Sequence, residues 1–277
     1  MLRFMFITND SQLAKVIFEQ GVERIFVDWE VNGKQQRQGH LDTVMSNHTY
    51  EDAVAVRQAV PEAELLIRLN PFYKGTLDEV EKAIKAGADL IMLPMFQTVE
   101  EVRLLSEMVN GRAGIVPLFE TPESMDCVND VAGLMGIHEI YVGLNDLHLA
   151  LGLDFIFEPL AKGMLEEAAY ISKRAGLRFG FGGVARADEG AVSGSMVLGE
   201  HLRLKSDSVI LSRTFYRPTE EEDAKTVFSR EIKRLRECET QLAQRNTMQE
   251  KLDHEAFCQA VEMVVAAKRE KTSIRFQ

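Results

Sequence analysis

The sequence of 277 residues predicts an α/β protein, a (β/α)8 TIM barrel with additional C-terminal helices. Apolar runs of strand length alternate with helical patterns at a spacing of roughly 20–30 residues. About eight such units follow one another, and eight strand–helix units are what closes this barrel. A doubly wound open sheet is the competing fold, but no Gly-x-Gly-x-x-Gly or Walker motif favours it.

The predicted strands are short apolar runs, several of them bounded by polar residues or turns. In chain order they are Met5–Thr8, Arg24–Glu30, Glu64–Asn70, Leu90–Met95, Ile115–Phe119, Ile140–Val142, Arg178–Gly183 and Ser208–Arg213. A helix between consecutive strands returns the chain in the same direction, so neighbouring strands are parallel. Their carboxyl ends therefore lie at one rim, which is where such barrels carry their catalytic groups.

The helical segments are recognised by their capping residues and terminal glycines. They are Ser11–Gln20, Thr49–Ala59, Thr76–Ala86, Thr98–Val109, a segment opened by Thr121-Pro122-Glu123, Glu158–Arg174 and a glycine-rich segment Glu189–His201. The polar loop after the second strand, residues 31–48, is too long to be a simple connection. Residues 1–218 are expected to form the catalytic barrel domain, and residues 219–277 a C-terminal helical extension that packs on the barrel or on a neighbouring subunit.

Composition excludes several classes of function. The formal net charge of −11 argues against general binding of nucleic acid or of anionic membranes. The sequence contains neither a signal peptide nor an apolar run long enough to span a membrane. Its three cysteines have no metal-binding or redox spacing, which is typical of a reducing compartment. We therefore expect a cytoplasmic protein.

Two acidic residues at neighbouring strand ends predict a metal site. Glu120 follows the fifth strand and Asp146 follows the sixth. Parallel neighbours lie ~4.8 Å apart, so both carboxylates can converge on one point. Carboxylates placed so close together repel each other, and a hard divalent cation relieves that repulsion. The alternative is that both acids cap helices at the strand–helix turns.

Other polar residues at strand ends are candidates for substrate binding. Arg68 needs an anionic partner if it is buried, either a substrate carboxylate or an acid such as Asp28. The segment Phe181–Arg186, with Gly182, Gly183 and Arg186, could cradle a phosphate or could be a tight turn that requires glycine. Lys34 in the long loop belongs either to a solvated surface or to a lid over an anionic substrate.

The segments AGADLIMLPMFQTVEEV and YVGLNDLHLALG, with the Glu120 segment between them, resemble the HpcH/HpaI aldolase/citrate lyase family over about Gly21–Arg213. The resemblance implies a (β/α)8 barrel in which Glu120 and Asp146 hold Mg2+ (or Mn2+). It implies that Arg68 contacts the carboxylate or oxo oxygen of the substrate, and that Asp28 is the acid ending strand two. It also implies a homo-oligomer, because family members often exchange a C-terminal helix.

The chain departs from the family pattern at two places. Val31 stands where the aldolases have a histidine that helps proton transfer, so the general base is open among His40, His48 and His148. The family motif Gly-Pro-x-Asp-Leu reads Gly143-Leu144-Asn145-Asp146-Leu147 here, with leucine in place of proline. The resemblance implies that Leu144 and Asn145 lie at the substrate.

The resemblance therefore implies a divalent-metal-dependent carbon–carbon lyase, class II aldolase-like, that acts on a 2-oxo acid through a pyruvate-type enolate. Arg68 would hold the oxyanion, and Asp28 or Glu30 would orient a water or a base. A second candidate is an enzyme acting on phosphoenolpyruvate or a sugar phosphate in polysaccharide-precursor synthesis. A CoA-thioester lyase of the citrate lyase beta type and a non-catalytic ligand-binding barrel are two further candidates. The expected partner is a small anionic carboxylate or phosphate.

Overall fold

The structure is a computed structural model that describes residues 1–32 and 48–275. Eight parallel strands close into a barrel in chain order, and β8 pairs with β1. The strands are β1 Arg3–Ile7, β2 Arg24–Asp28, β3 Glu64–Arg68, β4 Leu90–Leu93, β5 Gly114–Phe119, β6 Glu139–Val142, β7 Arg178–Val184 and β8 Ser208–Leu211. The predicted (β/α)8 barrel with C-terminal helices is confirmed.

Helices connect the strands and continue after the last one. They are α1 Ser11–Glu19, α2 Tyr50–Ala59, α3 Thr76–Lys85, α4 Val99–Val109, α5 Pro122–Asp126, α6 Val128–Ala132, α7 Leu144–Ala150, α8 Glu158–Ala161, α9 Glu166–Arg174, α10 Gly194–Arg203, α11 Ala224–Leu242 and α12 Thr247–Arg275. A 3-10 helix, Arg213–Tyr216, lies between β8 and α11. Within the described residues, no helix combines the length and the apolar character that crossing a membrane requires.

Three helical segments differ from the prediction. The single helix expected over Glu158–Arg174 is divided into α8 and α9, and Gly163 adopts a φ of +71° between them. The glycine-rich helix begins at Gly194 instead of Glu189, because a turn with Gly190 at φ +106° precedes it. Helix α7 was not predicted, although its first turn carries Asp146. It begins directly after β6, with no linker to mark its start.

The core has two layers. Inside the barrel, one cluster consists of Met5, Phe26, Leu66, Leu90, Met92, Val116, Leu118 and Tyr141. A larger cluster lies between the strands and the surrounding helices, because side chains of a strand alternate between the two faces of the sheet. Full burial of each large apolar side chain stabilises the fold by about 1.5–3 kcal/mol.

A network of ion pairs fills the lower end of the barrel, where the strands begin. Arg24, which is fully buried, donates from Nε to Glu64 at 2.6 Å and from Nη2 to Glu139 at 2.7 Å. The second oxygen of Glu139 accepts a short hydrogen bond from Ser208. These residues are the first of β2, β3, β6 and β8, so the network ties together strands that are distant in sequence.

A bulge interrupts the pairing of β7 with β8 near the upper rim. Gly180 is opposite Ser208 but Gly183 is opposite Ile210, so β7 contains one extra residue. The hydroxyl of Tyr141, inside the barrel, donates to the Gly182 carbonyl at 2.6 Å and accepts from the Ile210 N–H at 3.2 Å. Tyr141 thereby replaces the strand-to-strand hydrogen bonds and fixes the upper end of β7.

The last two helices pack against the barrel. Phe228 of α11 and Phe257 of α12 are fully buried in the outer core. At the start of the chain, Glu239 accepts from the backbone N–H of Leu2 at 2.5 Å, and the Arg236 guanidinium lies 3.5 Å from the centre of the Phe4 ring. The association of this segment with a neighbouring subunit remains a prediction.

Candidate active site

The upper rim of the barrel holds a buried arginine between two acids. Arg68 ends β3 and is paired in register with Asp28, which ends β2. Its Nε and Nη2 atoms donate to the two oxygens of Asp28, each at 2.8 Å, and Nη2 lies 3.2 Å from Glu30. Burial alone would lower the pKa of Arg68, but the charges of Asp28 and Glu30 outweigh it and raise that pKa. The guanidinium is therefore a fixed positive charge.

The residues around this pair fix the end of β2. The backbone N–H of Asp28 donates to Nδ1 of His48 at 2.9 Å. Trp29 points the other way, into the outer core, and its indole N–H donates to the Thr49 carbonyl at 3.0 Å. Val31 is half exposed, and its N–H donates to the Asn70 side chain at 2.9 Å. The backbone at position 31 is thus bonded to Asn70, and the residues after β2 are held on both sides.

Glu120 directly follows β5 and lines the same cavity as this pair. Its carboxylate is buried, and Oε1 accepts from the backbone N–H of Met95 at 2.9 Å. Met95 adopts a left-handed φ of 54°, which is rare for this residue type and typical of functional sites. Gly143 lies so close that a Cβ atom there would approach Glu120 Oε2 to 2.7 Å. The sequence requires glycine at this position to leave room for the carboxylate.

The electrostatics of Glu120 fit a divalent cation. Burial and the neighbouring charge of Asp146 raise the pKa of Glu120 to about 8. Asp146 lies in the first turn of α7 and lines the same cavity. Within residues 1–32 and 48–275, no group of three or more His, Cys, Asp or Glu side chains gathers as metal ligands. Mg2+ commonly uses one or two carboxylates together with substrate and water oxygens, so this pair suits it.

These groups line one cavity of about 720 Å³ at the carboxyl ends of the strands. The predicted residues that it brings together are Asp28, Arg68, Glu120, Leu144, Asn145, Asp146, Gly182 and Gly183. Glu30 does not line the cavity, although it contacts Arg68. Arg186 does not line it either and instead bonds Glu189 and two backbone carbonyls. Lys34 lies outside the described residues, as does His40.

Two histidines considered as the base are accounted for by structural contacts. His148 is buried in α7, and its Nδ1 lies 3.1 Å from the Leu144 carbonyl, which makes that nitrogen the donor. Nδ1 of His48 accepts from the Asp28 backbone. Neither residue lines the cavity.

Several residues of the candidate site escape prediction from the sequence. The N–H of Met95 holds Glu120, but a backbone donor with a left-handed φ leaves no signal in residue type. Tyr141 lies in a strand that the sequence marks only as apolar, although a hydroxyl on an inward-facing position is a signal. Arg217 and Thr214 follow the last strand, and their place one turn beyond a strand end could have identified them.

Comparison with known proteins gives one family match for the chain. The family model of HpcH/HpaI aldolase/citrate lyase matches residues 6–155. No curated protein matches the chain.

Several solved structures share the fold. An HpcH/HpaI aldolase from Desulfitobacterium hafniense is 15% identical, with a TM-score of 0.58 over 76% of this chain and 86% of that one. An HpcH/HpaI aldolase/citrate lyase family protein from Burkholderia cenocepacia is 15% identical, with a TM-score of 0.59 over 87% and 95%. The citrate lyase beta subunit from M. tuberculosis, complexed with oxaloacetate and magnesium, is 14% identical, with a TM-score of 0.58 over 83% and 96%.

Proposed function

The chain belongs to the HpcH/HpaI aldolase/citrate lyase family, and we propose that it is a divalent-metal-dependent carbon–carbon lyase acting on 2-oxo acids. The observation that carries the proposal is the meeting of Glu120, Asp146 and Arg68 in one cavity. Two acids that repel each other and a fixed guanidinium together suit a substrate whose oxyanion develops between a cation and an arginine.

Glu120 and Asp146 would hold the metal, which we propose to be Mg2+ or Mn2+. When bound, the ion would supply Lewis-acid polarisation of the 2-oxo group. Support comes from the raised pKa of Glu120, since a nearby cation offsets both causes of that shift, burial and the charge of Asp146. The citrate lyase beta subunit of similar fold is complexed with magnesium.

Arg68 would bind the carboxylate or the oxo oxygen of the substrate. Because Asp28 holds two of its nitrogens in a bidentate pair, the guanidinium is oriented before the substrate arrives. Negative charge that forms on the substrate oxygen when the carbon–carbon or carbon–hydrogen bond breaks would be stabilised by this fixed cation. Asp28 and Glu30 remain anionic partners of Arg68 and would orient a water or the proton-transferring group.

Exchange of the pyruvate methyl protons in deuterated buffer tests this function. We expect exchange that depends on Mg2+ or Mn2+ and is followed by proton NMR. Glu120→Gln should abolish the exchange because a metal ligand is lost, and Arg68→Ala should slow it strongly because the oxyanion loses its cationic partner. Glu107→Gln, which neutralises an exposed acid on α4, is the matched control. Absence of exchange in the wild type, with metal bound, would contradict the proposal.

We also propose that the chain forms a homo-oligomer through its C-terminal helices. Met248, Leu252 and Met263 on α12 expose 66%, 55% and 73% of their surface, which is unusual for apolar side chains on one helix. Light scattering during size-exclusion chromatography of the full chain measures the mass. A monomer at micromolar concentration would contradict this proposal.

A further inference from the structure

A groove on the outside of the barrel contains a cysteine that the proposed lyase chemistry does not use. The groove lies between residues 158–162, at α8, and one face of residues 258–269, on α12, and it is here called the α8–α12 groove. Its volume is about 420 Å³, and Cys258 is part of its lining. It shares no lining residue with the cavity at the upper rim. Any chemistry at Cys258 is therefore separate from the candidate active site.

Cys258 is the first of three side chains in contact with one another. Its Sγ lies 3.6 Å from Nε2 of His254, which is one helical turn earlier on α12. Nδ1 of the same imidazole lies 3.0 Å from Oε2 of Glu200 on α10. Because a carboxylate can only accept, Nδ1 donates in this contact, and Nε2 of the neutral imidazole faces the sulfur with its lone pair. Cys258, His254 and Glu200 are here called the thiol relay.

Glu200 fixes the far end of the thiol relay. It is buried, with 2% of its surface exposed, and its Oε2 also accepts from Nε of Arg203 at 2.8 Å. Nη2 of Arg203 in turn donates to Glu166 at 2.9 Å. The carboxylate is thus held behind the imidazole, where it orients the ring and would stabilise a positive charge formed on His254.

The thiol of Cys258 keeps its proton until a base accepts it. Burial and the charge of Glu200 raise the pKa of Cys258. Its Sγ also lies 3.6 Å from the Ala161 carbonyl, which accepts a hydrogen bond but does not take up the proton. Nε2 of His254 can take it up, and the product is a thiolate beside an imidazolium. The three side chains thus match the roles of nucleophile, base and orienting acid.

The thiol relay suits an electrophile whose leaving group needs a proton. A disulfide releases a thiolate, which is a weak base with a pKa of about 8.5 and leaves without help. The O–O bond of a hydroperoxide breaks to give an alkoxide or a hydroxide, which is far more basic. The imidazolium that has just accepted the thiol proton can give that proton to the departing oxygen. One histidine therefore supplies the base and then the acid.

The α8–α12 groove has room for an organic group on the hydroperoxide. At ~30 Å³ for each heavy atom, the share of one water molecule, hydrogen peroxide displaces only on the order of 60 Å³ of the groove. Four of the lining side chains are apolar, namely Ala161, Val261, Val265 and Ala266. Charged side chains complete the lining, namely Glu158, Lys162, Glu262 and Arg269. This lining favours a reagent with an apolar body and a polar reactive end.

We propose that Cys258 is a modification site at which an organic hydroperoxide oxidises the thiol to a sulfenic acid. Sγ attacks the terminal oxygen of the hydroperoxide, so an S–O bond forms and the O–O bond breaks. The thiol proton passes to Nε2 of His254 and from there to the departing alkoxide, which leaves as an alcohol. Sulfur gives up an electron pair to the peroxide, which is reduced. The inference goes beyond the proposed function and does not depend on it.

Trapping with dimedone, a reagent that reacts with sulfenic acids, tests the proposal. The full chain is treated with cumene hydroperoxide, which displaces on the order of 330 Å³ on the same scale, and peptide mass spectrometry follows the adduct at each cysteine. Cys127 and Cys238 are half-buried, as Cys258 is, and serve as internal references. We expect labelling at Cys258 to be at least about tenfold faster than at either reference. Hydrogen peroxide should give a smaller ratio.

Variants assign the reactivity to the thiol relay and to the groove. His254→Asn removes the base and should slow labelling at Cys258 about tenfold or more, with unchanged rates at the two references. Glu200→Gln should have a smaller effect, because an amide oxygen still accepts from Nδ1. Ala266→Glu places a carboxylate at the exposed edge of the groove and should slow the reaction with cumene hydroperoxide more than that with hydrogen peroxide. Glu255→Gln, elsewhere on α12, is the control and should change neither rate.

Three outcomes would overturn the proposal. They are equal labelling of the three cysteines, a rate at Cys258 that His254→Asn does not lower, and a ratio to the references that is larger for hydrogen peroxide than for cumene hydroperoxide. Exchange of pyruvate protons is measured at a different site and by a different method. Failure of the lyase proposal and failure of this one can therefore be recognised separately.

Discussion

The two ends of the barrel contain the same kind of ion-pair cluster and use it differently. At the lower end, Arg24 is bonded to Glu64 and Glu139. At the upper end, Arg68 is bonded to Asp28 and contacts Glu30. Each cluster is one buried arginine with two carboxylates, and in each the acids raise the pKa of the arginine against the opposing effect of burial.

The difference lies in what surrounds each cluster. The lower arginine has no exposed surface, and the strand ends around it are closed by further polar contacts such as Ser208 to Glu139. The upper arginine faces a cavity that also contains Glu120 and Asp146, two acids that repel each other. The enclosed ion pair at the lower end therefore holds the strands together, whereas the ion pair at the upper end faces a cavity where it can contact a substrate.

The largest effect is expected from a substitution that breaks the lower cluster. Arg24→Met leaves the carboxylate of Glu139 buried without its cation, so the free energy of unfolding should fall by about 3–5 kcal/mol. Urea unfolding followed by circular dichroism measures this. The folded fraction should keep the metal-dependent exchange of pyruvate protons, and Arg103→Ala on the surface should not change stability measurably. Lost exchange at unchanged stability would show that the lower cluster has a functional role.

The second prediction concerns a substitution that breaks the upper cluster. Arg68→Ala should lower the rate of pyruvate proton exchange about 10²–10³-fold, the usual effect of removing one donor from an oxyanion site. Arg68→Lys should not restore the rate fully, because an ammonium group cannot pair bidentately with Asp28. Rates measured by NMR at saturating Mg2+ would decide. If Arg68→Ala exchanged the protons at the wild-type rate, Arg68 would have no role in this reaction.

The third prediction is that His201, in the lower half of the barrel, makes the free energy of unfolding sensitive to acid. His201 is fully buried, stacks on Phe181 and contacts the hydroxyl of Ser206, which also donates to the Ser208 carbonyl. Burial lowers the pKa of His201 to about 3, whereas an unfolded histidine titrates near 6.5. The stabilisation that comes from keeping His201 neutral in the folded protein is fully present above pH 6.5 and is lost as the pH falls towards 3.

From pH 7.5 to 5, this histidine should cost about 2 kcal/mol of unfolding free energy, because only the unfolded chain takes up the proton. His201→Asn removes the titrating group and should reduce the difference between the two pH values by that amount. Urea titrations of both proteins at both pH values give the comparison. An equal pH dependence in the two proteins would show that other groups set the acid limit.

The smallest effect concerns the metal-binding acids alone. Gly143→Ala places a Cβ only 2.7 Å from Glu120 Oε2, while the backbone φ of −86° accepts alanine without strain. Displacement of the carboxylate should weaken Mn2+ binding about tenfold. Gly133→Ala is the control, because its Cβ would come no closer than 3.4 Å to another atom, the Asp130 carbonyl oxygen. Calorimetry with Mn2+ would contradict the assignment if both variants bound equally.

Sequence patterns predicted the barrel and much of the upper rim because the relevant signals are local. An apolar run followed by an acid, as at Glu120, is visible in a few residues, and the rule that catalytic groups follow strands then places it. The lower cluster was missed because the same rule ignores the first residue of each strand. Arg24 and Glu139 are 115 positions apart, and only closure of the barrel brings them together.

Arg186 shows a second limit of such prediction. Its position after β7 suggested a contact with substrate phosphate, but the direction of its side chain depends on the turn that follows. In the structure it points away from the cavity and donates to the backbone carbonyls of residues 214 and 217, which follow β8. Residue type and strand position located the correct region, but the direction of the side chain depends on three-dimensional packing.

The single tryptophan of the chain gives the site a built-in optical reporter. Trp29 directly follows Asp28, its backbone N–H donates to the Arg68 carbonyl at 2.9 Å, and its indole is held by Thr49. Because no other tryptophan contributes, all indole emission comes from the residue next to the Arg68–Asp28 pair. A shift of that pair on binding metal or substrate would alter the emission, so affinities could be measured in the unlabelled protein.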